Sequence, residues 1–174
     1  MKEDTVILLA EDDDGHATLT RMALREVGVN NQIIRFRDGQ ETVDFLFGTG
    51  QGPSREADVH YLLFLDLRMP KVDGFAVLGR IRQDRQLRRM PVVVLSTTDN
   101  PHEIKTCKGL HCSCYIVKAA GYEAFAAALQ QVKPFLEHRQ TPRTTGQSQQ
   151  CRLYCRCMRG FCQELPLHWT RSLC

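Results

Sequence analysis

Apolar and polar positions alternate along this chain in a repeating order. A short apolar run ends in polar or charged residues, and an apolar pattern of helical spacing follows. Tyr61-Leu-Leu-Phe-Leu-Asp66-Leu-Arg-Met-Pro70 is the clearest case: five apolar residues end in one carboxylate, and a helix-stopping Pro follows. Such a run reads as a strand covered on both faces, as in a parallel sheet. Val6-Ile-Leu-Leu-Ala10 is a second run, and Glu11-Asp12-Asp13-Asp14 closes it. Gln32-Ile-Ile-Arg-Phe36 is a short strand 2, Pro91-Val-Val-Val-Leu95 is strand 4, and Tyr115-Ile-Val117 is strand 5.

Helices are predicted between these strands. Leu19, Met22, Ala23 and Val27 mark the apolar face of the first, with Gly28 as its stop. Asp38 caps a second helix carrying Val43, Leu46 and Phe47. The aperiodic stretch 48–58 reads as a long loop. Phe75, Leu78 and Ile81 or Arg82 suggest helix 3, and Pro101 to Gly109 is helix 4. Phe125, Ala128, Leu129, Val132 and Leu136 give an amphipathic helix 5, whose last turns Pro134 is expected to kink. Strand and helix alternate five times, which implies an α/β fold with a parallel sheet and helices on both faces.

After Arg139 the pattern stops. Residues 140–150 are rich in Thr, Gln, Ser, Pro and Gly and read as a linker. The Cys/Arg-rich segment beyond it carries neither strand nor helix period. The chain of 174 residues therefore divides into a domain at 1–139 and an irregular tail at 140–174. Composition follows the same boundary. Residues 1–139 hold 18 Lys/Arg against 19 Asp/Glu, a net −1, while the tail holds 5 Arg against 1 Glu, a net +4. The main domain thus shows no overall basic footprint for nucleic acid. No apolar run approaches the ~20 residues that span a membrane. The acidic N-terminus does not resemble a signal peptide, so a cytoplasmic location and reduced thiols are expected. Cys151, Cys155, Cys157, Cys162 and His168 include enough ligands for zinc, but their spacing lacks the paired short loops of zinc sites.

Candidate chemistry gathers at the carboxyl ends of the strands, the edge where open α/β sheets bind ligands. Strand 1 contributes Glu11, Asp12 and Asp13, strand 3 Asp66, strand 4 Ser96 and Thr97, and strand 5 Lys118. Clustered carboxylates repel unless a cation joins them, and hard oxygen ligands suit Mg²⁺, which also takes phosphate oxygens. A hydroxyl and an ammonium facing the same point suit a phosphoryl group, and a carboxylate can act as its acceptor. Taken singly, each residue has an ordinary reading: a helix cap, a solvated acidic face, a surface lysine. Their joint occurrence at the ends of strands 1, 3, 4 and 5 favours one site.

Leu8-Leu-Ala-Glu-Asp-Asp13, Leu65-Asp-Leu-Arg-Met-Pro-Lys-Val-Asp-Gly74, Val94-Leu-Ser-Thr97 and Tyr115-Ile-Val-Lys118 together resemble the receiver domain of two-component response regulators. The resemblance covers about residues 5–138. The long loop before strand 3 and the Pro91 to Thr98 stretch resemble the single-domain regulators that serve bacterial phytochromes. The resemblance implies a doubly wound, flavodoxin-like, five-stranded parallel sheet of order 2-1-3-4-5. It implies Asp66 as phosphoacceptor, Glu11 and Asp12 as holders of Mg²⁺, and the backbone carbonyl of Arg68 as a further metal ligand. Ser96 would sense the phosphoryl group, Lys118 would pair with one of its oxygens, and Tyr115 would be the aromatic switch. Asp13 matches no direct ligand.

Family members usually carry Pro after that lysine, joined by a cis bond; Ala119 stands here. A cis bond costs ~3–4 kcal/mol before other residues against ~0.5–1 before Pro. Sequence leaves the isomer of this bond open, and a trans bond would displace the loop from Lys118 to Tyr122. The implied function is phosphorylation-dependent signalling with a sensor histidine kinase, a bacterial phytochrome by the narrower match. Output is expected through a changed binding surface, with no DNA-binding domain and no turnover enzyme activity. Val132, Phe135 and Leu136 suggest a surplus of apolar surface, hence a homodimer through helix 5 and the strand 4–5 edge. Two alternatives stand beside this reading. One is a non-cycling receiver that acts as a constitutive interaction module. The other is a phosphohydrolase, which would want a second carboxylate where Arg68 stands.

Overall fold

The computed structural model describes residues 5–118 and 121–137. In chain order the elements are β1 Thr5–Ala10, α1 Asp14–Glu26, β2 Ile33–Phe36, α2 Gly39–Phe47, β3 His60–Asp66 and α3 Gly74–Gln83. They continue with β4 Val92–Ser96, α4 Pro101–Gly109, β5 Cys114–Val117, α5 Tyr122–Leu129, a 3₁₀ turn Gln130–Val132, and α6 Lys133–Glu137. All strand pairings are parallel, and the sheet order is β2-β1-β3-β4-β5. The expected fold class is what the chain adopts. The isomer of the Lys118–Ala119 bond, and the linker and tail at 140–174 with their zinc ligands, lie outside the described residues.

The three middle strands explain the unbroken apolar runs. Ile7 to Ala10, Leu62 to Leu65 and Val92 to Leu95 are all fully buried, because helices cover both faces there. The edge strand β5 alternates buried and half-buried positions. Register aligns the strand ends. Ala10 pairs with Leu65, Asp66 with Leu95, and Ser96 with Val117. The residues that follow β1 and β5, Glu11 and Lys118, are thereby delivered to the same edge as Asp66.

Four helices start on side-chain caps. Asp13 accepts from His16 N at 2.7 Å, Asp38 from Glu41 N at 2.8 Å, Asp73 from Ala76 N at 2.8 Å, and Asn100 from His102 N at 2.9 Å. These carboxylates and the amide satisfy backbone donors that the first helical turn leaves open. Asp13, which matched no ligand role, has this one. Gly74 has no room for a larger residue: a Cβ there would lie 2.3 Å from the Asp66 carbonyl oxygen. Its amide donates to Leu67 O at 3.0 Å, so α3 begins directly against the end of β3.

Several helix faces differ from the periodic reading. Leu19 and Met22 are 44% and 53% exposed, and α1 instead buries Ala17, Thr20, Ala23 and Leu24. Small residues let α1 approach the sheet closely, which turns the larger apolar pair outward. Phe45 is buried in α2 while Phe47 is half-buried, and Phe45 packs on Phe36 with ring centroids 5.1 Å apart. On α3, Ile81 is the core residue. Arg82 instead donates to the carbonyls of His111, Arg88 and Met90. Helix 5 breaks where the kink was expected. Pro134 lacks an N–H, so the preceding turn tightens to 3₁₀ over Gln130–Val132 before α6 resumes. Ala126 rather than Ala128 completes its buried face. Val132 and Leu136 are 0% and 3% exposed, so the apolar surplus expected there is core, and only Phe135 is half-buried.

Candidate functional site

The loop after β1 carries Glu11 fully buried and Asp12 exposed. Asp66, at the last position of β3, is 6% exposed. Glu11, Asp12 and Asp66 each offer an oxygen, and these oxygens lie within 4.8 Å of one another. Lys118, entering from the end of β5, places its Nζ 2.8 Å from Glu11 Oε2 and 3.5 Å from Asp66 Oδ2. Its side chain is 7% exposed, so the ammonium is enclosed by the acids. Lys118 thus stands within ion-pair reach of both Glu11 and Asp66.

Burial pushes the Glu11 carboxyl above its ordinary range, and the Lys118 ammonium pulls it partway back. Among the described residues, Glu11 Oε1 is buried without a hydrogen-bond partner. His16 Nδ1 stands 3.4 Å from it, an ion-pair distance if the imidazole is charged but too long for a well-formed hydrogen bond. An orphaned carboxylate oxygen beside two further carboxylates is a set of hard donors with one cation too few. That fits a small divalent ion such as Mg²⁺, which takes carboxylate oxygens and retains waters.

Ser96 ends β4 and is 1% exposed. Its Oγ accepts from Thr98 N at 3.3 Å, and the Tyr115 hydroxyl donates to Thr98 O at 2.9 Å. Ser96 and Tyr115 are thus joined through one residue of the β4–α4 loop. Burial pushes the Tyr115 phenol up, which keeps it a donor. The Arg68 guanidinium pairs with Glu103 in the first turn of α4. Glu103 is 9% exposed, and its other oxygen, Oε2, has no hydrogen-bond partner among the described residues.

The periodic reading missed three participants. His16 sits in the first turn of α1 and faces Glu11 and Asp13. Glu103 is an acid on the inner face of a polar helix, where sequence gives no hint of burial. Arg35 did leave a signal, as a cation inside the otherwise apolar Ile33-Ile-Arg-Phe36.

A doubly wound parallel sheet with an acidic cluster and one lysine at its carboxyl edge defines the class as flavodoxin-like α/β. Within it, the family model described as the response regulator receiver domain matches residues 7–130, and the chain belongs to that family. Response regulator Rcp1 of Synechocystis sp. is 34% identical over 130 residues, covering 75% of this chain and 87% of that protein. The probable methanogenesis regulatory protein FilR2 of Methanothrix harundinacea is also 34% identical, over 131 residues, covering 75% of this chain and 82% of its own. The structure of the phosphorylated cyanobacterial phytochrome response regulator RcpA superposes with a TM-score of 0.67 at 35% identity, covering 79% of this chain and 98% of that one. The Mn²⁺-bound form of Rcp1 superposes at 0.66 and 33% identity, over 79% and 99%. Receiver domains take phosphoryl groups from histidine kinases and bind a divalent metal. No helix among the described residues is long and apolar enough to cross a membrane.

Proposed function

We propose that Asp66 is the phosphoacceptor of a response regulator, and that a histidine kinase supplies the phosphoryl group in a Mg²⁺-dependent transfer. The observation that carries this is the placement of the Lys118 ammonium between Glu11 and Asp66 at a buried strand edge. An Asp66 carboxylate oxygen attacks the phosphorus of the kinase phosphohistidine. The P–N bond breaks, and the freed imidazole nitrogen keeps the electron pair. Lys118 then faces a phosphoryl oxygen as well as Glu11. Glu11, Asp12, Asp66 and the Arg68 carbonyl would hold Mg²⁺, which supplies charge to offset the acids and the incoming phosphate. Ser96 would meet the phosphoryl group through its hydroxyl. The Thr98 link would carry that change to Tyr115, so that output is an altered binding surface around α4 and β5.

The likeness to a phytochrome response regulator favours a phytochrome-type kinase as donor, with a cytoplasmic setting. Exposed Leu19 and Met22 on α1, the helix that begins at the acidic loop, give such a kinase an apolar contact beside the acceptor. A homodimer through the open β5 edge and the half-buried Phe135 remains part of the proposal. Velocity sedimentation at tens of micromolar, with and without beryllofluoride, reads it, and a monomer in both conditions rejects it.

The acceptor role is tested with acetyl phosphate and Mg²⁺. The wild-type protein is expected to form a stable acyl phosphate, and Asp66→Asn to form none while melting cooperatively. Undiminished labelling of Asp66→Asn rejects the assignment. Absence of labelling in the wild type would indicate a non-cycling interaction module. Steady release of phosphate from monoesters would indicate a hydrolase.

A further inference from the structure

Arg35 stands in the middle of β2, next to the site but outside it. Its guanidinium is spent on one loop. Nε donates to Glu11 O at 3.0 Å, Nη2 donates to Asp12 O at 3.0 Å, and Nη1 pairs with the Asp14 carboxylate. The backbone of the next strand residue continues the contact, since Phe36 O accepts from Glu11 N at 3.0 Å. Arg37 Nη2 lies 3.6 Å from the same Asp14 oxygen. The Arg35 side chain is only 13% exposed, so these bonds are largely shielded from water.

The loop needs such a restraint. Glu11-Asp12-Asp13-Asp14 places four acids in succession, and only two of them, Glu11 and Asp12, face Asp66. Asp13 is committed to capping α1, and Asp14 is drawn to the arginines. Both carbonyls held by Arg35 belong to the two residues that join Asp66 in the acidic cluster. Fixing a carbonyl fixes the ψ of its residue and therefore the direction of its Cα–Cβ bond. We propose that Arg35 is a positioning residue for the metal-binding carboxylates: it holds the Glu11 and Asp12 backbone so that both side chains converge on Asp66. It touches neither metal nor phosphoryl group. This rests on the metal site under the proposed function.

Charge and position oppose each other here, which makes the sign of the outcome decisive. Removing the guanidinium leaves the neighbourhood one unit more negative, which by charge alone draws a divalent cation more tightly. Removing the clamp lets the two carboxylates spread, which weakens a site that depends on their convergence. Lysine keeps the charge but offers one compact ammonium, which cannot reach acceptors on three residues as the planar fork does. The experiment is calorimetric titration of the full chain with Mg²⁺ alone, comparing wild type, Arg35→Met, Arg35→Lys and Asp12→Ala. Circular dichroism and melting confirm the fold of each. Both Arg35 variants are expected to bind Mg²⁺ roughly tenfold more weakly, the lower end of the loss when an outer-shell partner of a metal site is removed. Asp12→Ala is expected to abolish binding. Equal or tighter binding by the folded Arg35 variants, with Asp12→Ala inactive in binding, overturns the positioning role and leaves the site intact. Unchanged binding by Asp12→Ala overturns the site itself, and the inference with it. Should Arg35→Met not fold, Arg35→Lys decides alone.

Discussion

The two sides of the sheet edge are built differently. On the β1–β3 side, Glu11 follows β1 and Asp66 ends β3, both buried, and the acidic loop is held by Arg35. Helices α1 and α3 begin on the caps Asp13 and Asp73, and Gly74 packs against the Asp66 carbonyl. On the β4–β5 side, β5 is a four-residue edge strand, and α5 starts at Gly121 with φ +87° and no side-chain cap. The 3₁₀ turn then interrupts the last helical stretch. Among the described residues, the acidic loop and the start of α3 are fixed by more bonds than the start of α5, although α4 also begins on a cap, Asn100. The acceptor role proposed for Asp66 calls for a firm β1–β3 side, because elements that move come from the less stable end of a fold.

The comparison can be broken hardest at Gly74. A methyl group there must displace backbone, not a flexible side-chain end, since the Asp66 carbonyl oxygen lies 2.3 Å from the new Cβ. Gly74→Ala is expected to cost about 2–3 kcal/mol, in the range of overpacking a rigid core. Urea denaturation checks this, and the β1–β3 side is not rigid if the midpoint is unchanged.

Next comes the bridge between the sides. Arg68 belongs to the loop after β3, while Glu103 belongs to α4, and the pair ties one to the other. The Arg68 side chain is 71% exposed, which weakens the pair itself through solvent screening. Its removal nevertheless leaves a carboxylate on α4 that is 9% exposed, with no partner among the described residues on either oxygen. Arg68→Ala is expected to cost about 1–2 kcal/mol, above an ordinary surface pair because a shielded charge is left alone. Glu103→Gln should recover part of it in the double variant. Thermal melts of the four proteins in a double-mutant cycle measure the coupling, and a coupling of zero removes the bridge.

The smallest effect is expected at Tyr115. Tyr115→Phe deletes the bond to Thr98 O while keeping the ring, so about 1 kcal/mol of stability is lost. Its value lies elsewhere: amide exchange should quicken in the β4–α4 loop and leave β1 and β3 unchanged. Equal quickening on both sides would mean that the two are one cooperative unit.

The order of elements was legible because each rests on local rules. Pro101 to Gly109 reads as α4 from its Pro start and Gly end, and the runs ending at Ala10, Asp66 and Ser96 read as strands from their unbroken apolar character. The candidate site was legible for a related reason. A parallel sheet sends every strand end to one edge, so Glu11, Asp12, Asp66, Ser96 and Lys118 could be gathered before any coordinate was known.

Local pattern was enough to say which strands exist, that they run parallel, and which carboxylates and lysine stand at their ends. Those properties depend on periods of two and 3.6 residues, on caps, and on the handedness of crossovers. Tertiary structure alone decided the rest. Leu19 and Met22 lie outside because small Ala17, Thr20 and Ala23 already fill the space against the sheet. Val132 and Leu136 lie inside because helix 5 bends at its 3₁₀ turn. Arg35 reaches back over the strand 1 loop, and Arg68 turns to Glu103, because folding brings together residues 24 and 35 positions apart in sequence. A hydrogen bond between such distant residues follows from neither residue's local pattern, since it depends on where two separately formed elements come to rest.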